Sequence, residues 1–560
     1  MSRGKLVRVL LLMAASLLLL TVAVISPSRA ESMEQAARVT VSQDASFCEG
    51  DLLLELSCRK GDAIFYTLDG SIPTLDSMRY EGPVRLPASE QVQSCVLRAC
   101  ACDENTGTWG ELFTRTYFYA EHMETVRERF STCIVCLTSD PYNLYDYEHG
   151  IMVEGKIRDE YRAGEEYVSG KLTQPANFTQ EGRDWERDVY VEILSPDGER
   201  LVAQDAGIRI FGHASRQYYY KSFKLYAREE CGRDTFSCPL FADNLPGQRD
   251  EVQDSYERLV VRAHGFDKSV TLFREELFQR LCSQIEGIDT KSVAAASVWL
   301  NGEYYNFEWL QEVYDDRYME ENYGLMQPAD SYRKVKLRDD KIREDVDADE
   351  DDHRAYADYE LLAEYADQDL TDDRIFDEFQ KRIDVDNMMQ YFAIETYIGN
   401  WDWPLNNVKL YRYYSSNGIY GDGRQDGRWR YLYYDMEAGF NIFNEPEEDW
   451  LSIRTVMEES SLFGAVMKRP DMQEKFAAYI DLCIHEYFTE EKVRAAVRQL
   501  QEERDRELAE SFAYKQSIDE TYTLDMEEVE QNLETIYEFV EKRPEMMRTE
   551  AESLFGIRIE

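Results

Sequence analysis

Two segments in the second half of the chain carry acidic and amide side chains in a pattern that suits phosphoryl transfer. The first reads GNWDWPLNN over residues 399–407, so that Asp402 precedes Asn407 by five residues. Phosphoryl transfer needs a carboxylate near the attacking hydroxyl and oxygen ligands for magnesium, and protein kinases supply an Asp and an Asn with this spacing from one loop. Because the spacing alone is a weak signal, its meaning depends on the second segment.

The second segment reads WRYLYYDMEAGF over residues 429–440, an aromatic strand that ends in an acid. A kinase carries its second metal-binding Asp at the end of such a strand. Mg²⁺ takes oxygen ligands, so Asp435 could chelate a metal that bridges nucleotide phosphates. The two segments together predict a site for a metal and a phosphate ester.

The elements around these segments have an α+β order. Residues 131 to about 312 alternate as strands do, with one amphipathic helix near residues 272–285. Beyond residue 353 the apolar residues repeat at helical spacing, for example at Ile375, Phe379 and Ile383. A strand-rich half followed by a helix-rich half predicts an α+β fold, and a two-lobed kinase-like domain has that order.

The acidic stretch between the two halves, residues 338–353, is predicted to be a solvated loop. A calcium loop over residues 345–351 is the alternative. The EF-hand spacing and its central glycine are missing, which disfavours calcium.

Composition limits the partners of the chain. Its 560 residues include 110 acidic and 63 basic side chains, a formal charge of −47. Such a surface repels nucleic acid and anionic lipid, so we expect neither as a partner. A nucleotide is repelled as well, so a phosphate site must gather local Lys or Arg side chains and a divalent cation.

The first thirty residues have the composition of an export signal. Arg3, Lys5 and Arg8 precede an apolar run over residues 9–25, and small residues follow at Ser28 and Ala30. This order predicts a signal peptide, residues 1–30, that is cleaved after Ala30. The alternative is an uncleaved membrane anchor over residues 9–25. Both place the body of the protein outside the cytoplasm, secreted or at the cell surface.

Residues 37–119 read as short strands with turn signals. The strings YTLDGSIPT (residues 66–74) and YEGPV (residues 80–84) lie at the centre, with a hairpin turn predicted at Asp69-Gly70. This segment resembles the fibronectin-III-associated module at the C-terminus of chitobiase and β-hexosaminidase enzymes. The resemblance implies a small all-β sandwich with an accessory role and without glycosidase activity.

The paired segments at 399–411 and 429–440 resemble the spore-coat protein H (CotH) kinase family. Further matching strings lie upstream: GIRIFG at 207–212, KSFKL at 221–225, LVVR at 259–262 and NGEYY at 301–305. The resemblance covers about residues 131–555. It implies an atypical two-lobed protein-kinase-like domain over residues 131–560, with Mg²⁺ and ATP as cofactors.

The resemblance also implies roles for individual residues. Asp402 would be the catalytic acid and Asn407 and Asp435 the metal ligands, while Glu437, where the family usually has Asp, would lie beside the metal. Lys221 would contact the phosphates, with Lys224 as its rival. The remaining implied nucleotide-binding residues are Arg209 and Arg216 for phosphate charge, Trp429 for adenine stacking, and Glu312 at the end of the small-lobe sheet. Lys221 could instead be a strand residue in an ion pair, and Trp429 a core residue.

The function implied is transfer of the ATP γ-phosphoryl group to Ser or Thr of another surface or coat protein. A pseudokinase or scaffold at the cell surface, with a protein or polysaccharide partner in a carbohydrate-processing assembly, is the alternative. No acid pair in the chain matches a hydrolase motif, so glycoside hydrolysis is the weakest interpretation.

Overall fold

The computed structural model describes residues 38–59, 62–171, 173–241 and 253–560. The predicted signal peptide or anchor lies outside these residues. The chain divides into two compact units, one up to Glu121 and one from His122. In the described residues no helix combines the length and the apolar character that crossing a membrane requires.

The first unit is built from short strands. Six of them form one sheet in the order β2-β10-β8-β5-β6, with β9 beside β8, and the pairs β1-β4 and β3-β7 complete the unit. Leu54, Ile64, Leu97 and Tyr117 fill its core. The strands are β1 (Thr40–Val41), β2 (Phe47–Glu49), β3 (Leu52–Leu54), β4 (Leu56–Ser57), β5 (Ala63–Thr67), β6 (Met78–Arg79), β7 (Val84–Leu86), β8 (Gln93–Asp103), β9 (Thr108–Trp109) and β10 (Phe113–Ala120).

The prediction of a tight hairpin turn at Asp69-Gly70 is wrong, because the connection between the two strands is longer. Strand β5 ends at Thr67 and its partner β6 begins only at Met78. Asp69 instead makes a local turn, in which its carboxylate accepts hydrogen bonds from the backbone N–H and the hydroxyl of Ser71. Such a side-chain turn can open a longer connection as well as a two-residue hairpin.

The second unit begins with a closed barrel of strands in the order β11-β12-β13-β14-β17-β19-β18. Residues such as Ile208, Phe223, Leu259 and Val261 fill its interior. The strands of this part are β11 (Cys133–Thr138), β12 (Arg187–Leu194), β13 (Arg200–Phe211), β14 (Ser222–Tyr226), β15 (Phe236–Ser237), β16 (Ser255–Tyr256), β17 (Arg258–Arg262), β18 (Val293–Leu300) and β19 (Glu303–Glu312).

A four-stranded antiparallel sheet follows, in the order β21-β20-β22-β23. It pairs the basic strand β20 with β22, so that Lys336 lies opposite Lys409. Its strands are β20 (Ser331–Arg338), β21 (Lys341–Ile342), β22 (Val408–Tyr414) and β23 (Arg430–Leu432).

Helices dominate the rest of the second unit and surround a large apolar core. Most of them follow the barrel, as the sequence predicts. They are α1 (Met123–Arg129), α2 (Pro141–Tyr145), α3 (Gly155–Ala163), α4 (Arg274–Cys282), α5 (Asp316–Tyr323), α6 (Glu350–Ala363), α7 (Asp373–Gln380), α8 (Val385–Ile398), α9 (Ile453–Glu459), α10 (Ser461–Val466), α11 (Pro470–Leu482), α12 (Glu490–Ile518) and α13 (Met526–Phe555).

Two buried arginines fasten loops of the site to this helical core. Arg274 of α4 donates to the carbonyl oxygens of Gly439 and Phe440, at 3.2 and 2.7 Å. Arg543 of α13 donates to the carbonyls of Thr396 and Tyr397 at the end of α8 and to that of Leu451. A charge can be buried when such bonds satisfy its donors, so each arginine fixes backbone that would otherwise be a free loop.

The mixed α+β class and the order of its halves are confirmed. The prediction of a solvated loop over residues 338–353 is wrong in part, because Arg338 is the last residue of β20 and α6 begins at Glu350. Between them Asp347 accepts hydrogen bonds from the Arg183 backbone and from the Arg209 side chain. The stretch is therefore held against the barrel by specific contacts.

Candidate functional site

The loop after α8 places Asp402 at the edge of a cleft. Helix α8 ends at Gly399, whose φ of +64° suits glycine, and the side chain of Asn400 donates to buried Glu395 at 3.1 Å. Asp402 accepts hydrogen bonds from the side-chain amides of Asn406 and Asn407, at 2.9 and 3.0 Å. Burial raises the pKa of Asp402 above its ordinary value. The amide nitrogen of Asn407 is thus engaged on Asp402, and its carbonyl oxygen remains for another partner.

Asp435 lies just beyond β23 in the left-handed region, with φ of +64°. The next residue, Met436, donates its backbone N–H to Glu275 of α4 at 2.5 Å, and Glu275 is ion-paired with Lys291 at 2.8 Å. Burial opposes ionisation of Asp435, but the neighbouring Arg262 guanidinium keeps its pKa below the ordinary value. Asp435 is therefore an ionised carboxylate on a fixed turn.

Glu437 shares Arg262 with Asp435. One guanidinium nitrogen of Arg262 donates to Asp435, at 2.5 Å, and to Glu437. The other oxygen of Glu437 accepts the Phe266 backbone N–H at 2.8 Å. Burial raises the pKa of Glu437 to about 8. Both oxygens of Glu437 therefore already have donors within the protein.

A cleft of about 1020 Å³ contains Asp402, Asn407, Asp435 and Glu437. One side is the outer face of barrel strands β13, β14 and β17. Arg209 lies opposite Lys224, and Lys224 opposite Val260. Residues that pair across strands share a face, as do residues two apart along a strand. We call Arg209, Lys224, Arg258 and Arg262, which share this face, the barrel wall.

The other side of the cleft is the face of the four-stranded sheet that carries Lys334, Lys336 and Lys409, here called the sheet wall. Tyr434 lies among these lysines. The Lys409 ammonium is 3.4 Å and the Lys336 ammonium 4.8 Å from the centre of its ring. The cleft therefore has cations on both walls, in a chain whose formal charge is −47.

The cations of the two walls repel one another. Burial, with Arg258 and Lys334 nearby, lowers the pKa of Lys224 to about 7. Burial and the neighbouring Lys336 and Lys224 hold the pKa of Lys409 well below its ordinary value. An anion between the walls would relieve this repulsion and favour the charged lysines. The cleft thus meets the condition, set by the composition, that a phosphate site gather its own cations.

Lys221 does not line this cleft. Its ammonium donates to the backbone carbonyls of Arg216 and Tyr218, at 2.9 and 2.8 Å, and lies 3.9 Å from the centre of the Phe178 ring. The structure places its rival, Lys224, in the cleft instead. Of the two lysines, Lys224 is therefore the one placed where it could contact a phosphate in the cleft, and Lys221 is not.

Trp429 is a core residue. Only 1% of it is exposed, and its ring packs edge-to-face against Tyr359 with centroids 5.9 Å apart. The prediction that Trp429 stacks on adenine is wrong in this structure, because no face of the ring reaches the cleft. The aromatic side chain that borders the cleft near Asp435 is Tyr434.

The other predicted nucleotide-binding residues lie along the cleft with protein partners. Arg209 is ion-paired with Glu186 at 2.9 Å and with Asp347 at 2.6 Å. Arg216 donates to the carbonyls of Gly212 and Gln180. Glu312 is the last residue of β19, and its carboxylate accepts the Ser292 N–H at 2.6 Å. Each of them is held in place by the fold.

Several cleft residues were missed by the sequence reasoning: Arg258, Lys291, Lys334, Lys336, Lys409 and Tyr434. The string KVKLR at residues 334–338 could have indicated two of them, Lys334 and Lys336. Alternate residues of a strand share a face, so this string predicts a basic face on β20. Nothing in the local sequence links that face to the barrel wall.

A second groove, of about 590 Å³, adjoins the cleft at Asp402. Trp401, which is 56% exposed, meets Phe443 edge-to-face at 5.1 Å on its surface. Acids line it at Glu445, Glu448, Asp449 and Glu459, and the described lining contains no Lys or Arg. Asp402 therefore lies between a cationic cleft and an acidic, aromatic groove.

The site residues fit a magnesium ion. The described residues contain no group of three or more His, Cys, Asp or Glu side chains with metal-binding geometry. Mg²⁺ needs fewer protein ligands, because it is usually held by one or two carboxylates together with substrate phosphates and water. Asp435 and the free carbonyl of Asn407 supply suitable oxygens, and the cation-lined cleft has room for phosphates.

Comparison with known families gives two matches. The model described as CotH kinase protein matches residues 208–547. The model described as Fn3 associated matches residues 54–117. Comparison with curated proteins gave no match.

Proposed function

The chain belongs to the CotH kinase family, whose model covers more than half of it, and we propose that its second unit is an atypical protein kinase. It transfers the γ-phosphoryl group of ATP, with Mg²⁺, to a Ser or Thr hydroxyl of a surface or coat protein. In this proposal the barrel and the helix-rich part act as the two lobes, and the cleft between the barrel and the four-stranded sheet takes the nucleotide.

One observation carries the proposal: Asp402, Asn407 and Asp435 share a cleft with two walls of lysine and arginine. The three residues come from chain segments about thirty residues apart. A phosphate ester of high charge is the ligand that suits both the cations and the metal-binding oxygens. The lowered pKa values of Lys224 and Lys409 support it, because a bound polyanion would stabilise their charged forms.

The chain's own residues divide the work of transfer. When bound, Mg²⁺ neutralises phosphate charge and orients the transferring group. Asp435 and Asn407 would hold the ion, while Lys224, Lys336 and Lys409 neutralise phosphate oxygens. Asp402 orients the acceptor hydroxyl and takes its proton, since hydrogen bonds from Asn406 and Asn407 fix its carboxylate. Its raised pKa favours that role.

The acceptor would approach from the second groove. Trp401 and Asp402 border both the groove and the cleft, so a hydroxyl bound there reaches the carboxylate from the side away from the lysines. The exposed Trp401–Phe443 pair offers apolar contact area for a protein segment. The four acids on the groove disfavour an acidic acceptor.

A pseudokinase that acts as a surface scaffold is the second candidate, and one observation favours it. Asp435 and Glu437 are already neutralised by Arg262. A cleft that had lost its metal would contain such a substitute cation. The Fn3-associated module is compatible with either function.

Calorimetry and transfer assays on Asp402→Ala and Asp435→Ala test the proposal. Asp435→Ala should weaken Mg-ATP binding, because the metal neutralises phosphates in the ground state. Asp402→Ala should keep the affinity and lower transfer to the protein substrate, or to the enzyme itself, by about 10²- to 10⁴-fold. Asp402→Asn is the isosteric control and should behave like the alanine variant. If the parent protein neither binds nor transfers, the kinase proposal fails and the scaffold replaces it.

We further propose that the protein is exported, on the basic, apolar and small-residue series up to Ala30. N-terminal sequencing of the protein from its native host should then begin at Glu31. A start at Met1 in a membrane fraction would make it an anchored protein instead.

A further inference from the structure

Arg262 occupies the position between two acids of the candidate metal site. It is the last residue of β17 and lies on the barrel wall, and its side chain is 8% exposed. One of its terminal nitrogens donates to both Asp435 and Glu437. A single guanidinium therefore pairs with both carboxyl groups that a divalent cation would otherwise face.

The acids cannot turn away from this position. Glu437 is held by the Phe266 N–H, and Gly265 next to it has no room for a side chain, because a β-carbon there would collide with the Glu437 carboxylate. Asp435 is held by its left-handed backbone and by the Met436–Glu275 hydrogen bond. If the arginine left, the ionised carboxylate of Asp435 would face any incoming phosphate without a counter-charge.

Arg262 keeps one buried donor unused. Its Nε has no hydrogen-bond partner among the described residues, unlike the Nε of Arg209, which together with Nη1 binds two different carboxylates. Arg262 also shares a face of the sheet with Lys224. It can therefore remain in the cleft and contact phosphate when a metal replaces it at Asp435.

We propose that Arg262 is a built-in counter-cation for the metal site, which lets the cleft bind nucleotide without a metal and competes with Mg²⁺ for Asp435. This inference rests on the proposed function, since it concerns the same cleft. It explains how a strongly acidic chain could hold a nucleotide where divalent cations are scarce. It also sets how strongly nucleotide binding depends on Mg²⁺.

The test compares the ATP dissociation constant in excess chelator with that in Mg²⁺, by calorimetry, for the parent and for Arg262→Gln. We expect the dissociation constant in chelator, divided by that in Mg²⁺, to rise at least about tenfold in the variant. Binding without metal loses its counter-cation, whereas Mg²⁺ restores the charge balance. Arg209→Gln is the matched control. It removes an arginine that is likewise paired with two carboxylates on the same wall, and it should change both constants alike.

A second readout needs no nucleotide. Mn²⁺ binding to the nucleotide-free protein, followed by electron paramagnetic resonance, should tighten at least about tenfold in Arg262→Gln, since the competitor for Asp435 is gone. Should Arg262→Gln fail to fold, Arg262→Gln/Glu437→Gln removes one charge of each sign and should still tighten Mn²⁺ binding.

The outcomes separate the inference from the proposed function. An unchanged ratio together with unchanged Mn²⁺ affinity overturns the role of Arg262, even if Mg-ATP binds well. If no nucleotide binds to the parent under either condition, the kinase proposal fails, while the Mn²⁺ titration still decides whether Arg262 competes with a metal.

Discussion

At about pH 8, binding of Mg-ATP should be coupled to proton uptake, and Lys224 should account for close to one of the protons taken up. In the nucleotide-free protein the pKa of Lys224 is lowered to about 7, so about nine in ten molecules carry this lysine neutral at that pH. The groups that face it are Arg258 on β17, Lys334 on β20, and the carboxylates of Asp315 and Asp345. The pKa of Lys224 is lowered although two carboxylates are among these groups, and a phosphate between the walls adds a further anion.

The size of the effect follows from charge and distance. A unit negative charge about 4 Å from the ammonium contributes roughly 4 kcal/mol at an effective dielectric constant of 20, and each pKa unit corresponds to about 1.4 kcal/mol. The pKa of Lys224 in the complex should thus rise by about two to three units. Between about pH 7 and pH 9 the affinity should then fall by up to tenfold per pH unit.

The stability of the nucleotide-free protein should change with pH in the direction opposite to that of the affinity. A lysine whose folded pKa is lowered binds fewer protons in the folded than in the unfolded chain between about pH 7 and 10. Its contribution to the free energy of unfolding of the nucleotide-free protein therefore rises with pH over that range. Bound nucleotide should reduce or remove this slope, which thermal unfolding with and without Mg-ATP can measure.

Calorimetry in buffers of different ionisation enthalpy measures the proton uptake directly. At about pH 8 the terminal phosphate of ATP, whose pKa lies near 6, is already ionised and adds little. Lys224→Met should lower the uptake by close to one proton and weaken binding, and the uptake that remains belongs to Lys409, whose pKa is lowered as well. Lys221→Met is the matched control, because Lys221 also has a lowered pKa, about 8, but donates to backbone carbonyls outside the cleft.

Uptake that is unchanged in Lys224→Met, or that falls by one proton in Lys221→Met, would refute this reasoning and return the phosphate contact to Lys221. A parent protein that binds Mg-ATP with no uptake at all would show that phosphate does not reach Lys224.

Three further predictions concern other parts of the chain. Trp429→Ala should lower the free energy of unfolding by about 3–5 kcal/mol in chemical denaturation, because it leaves a cavity in the core. Trp401 is exposed, so Trp401→Ala should change the free energy of unfolding by less than about 1 kcal/mol. The Trp401 variant should slow transfer to the acceptor without changing Mg-ATP affinity. Removal of residues up to Glu121 should leave the Mg-ATP affinity of the second unit within about twofold of the full chain in calorimetry, since the described residues that line the cleft all lie beyond Glu121. Arg543→Met should lower the free energy of unfolding by at least about 3 kcal/mol and weaken Mg-ATP binding, because it leaves the carbonyls of Thr396, Tyr397 and Leu451 without their charged donor. Unchanged Mg-ATP affinity in the folded variant would show that the loop that carries Asp402 keeps its shape without Arg543.

The acids of the site could be found from the sequence because their chemistry limits where they occur. An acid directly after an aromatic strand, such as Asp435, is costly to bury without a partner, so its presence points to a ligand or a counter-charge. The structure brings Asp402, Asn407 and Asp435 to one cleft, although they were read from separate segments. The order of strands and helices was readable for a similar reason, since each has its own apolar period.

The choice between neighbouring side chains could not be made from the sequence. Lys221 and Lys224 differ only in which side of the backbone they leave, and that depends on where β14 begins. The local sequence does not distinguish a Trp429 that lines a cleft from one that packs against Tyr359 in the core. The pairing of Arg262 with Asp435 joins residues 173 positions apart, and no local pattern contains it.

The hydrogen bonds of Arg543 determine when the site can form while the chain is being synthesised. The loop that carries Asp402 begins where α8 ends, and a carbonyl there is bonded to an arginine 146 positions further along the chain. A domain can fold only after its last essential segment has emerged from the ribosome. The cleft should therefore stay unformed until Arg543 has emerged, and a chain that crosses a membrane unfolded would form this cleft only on the far side.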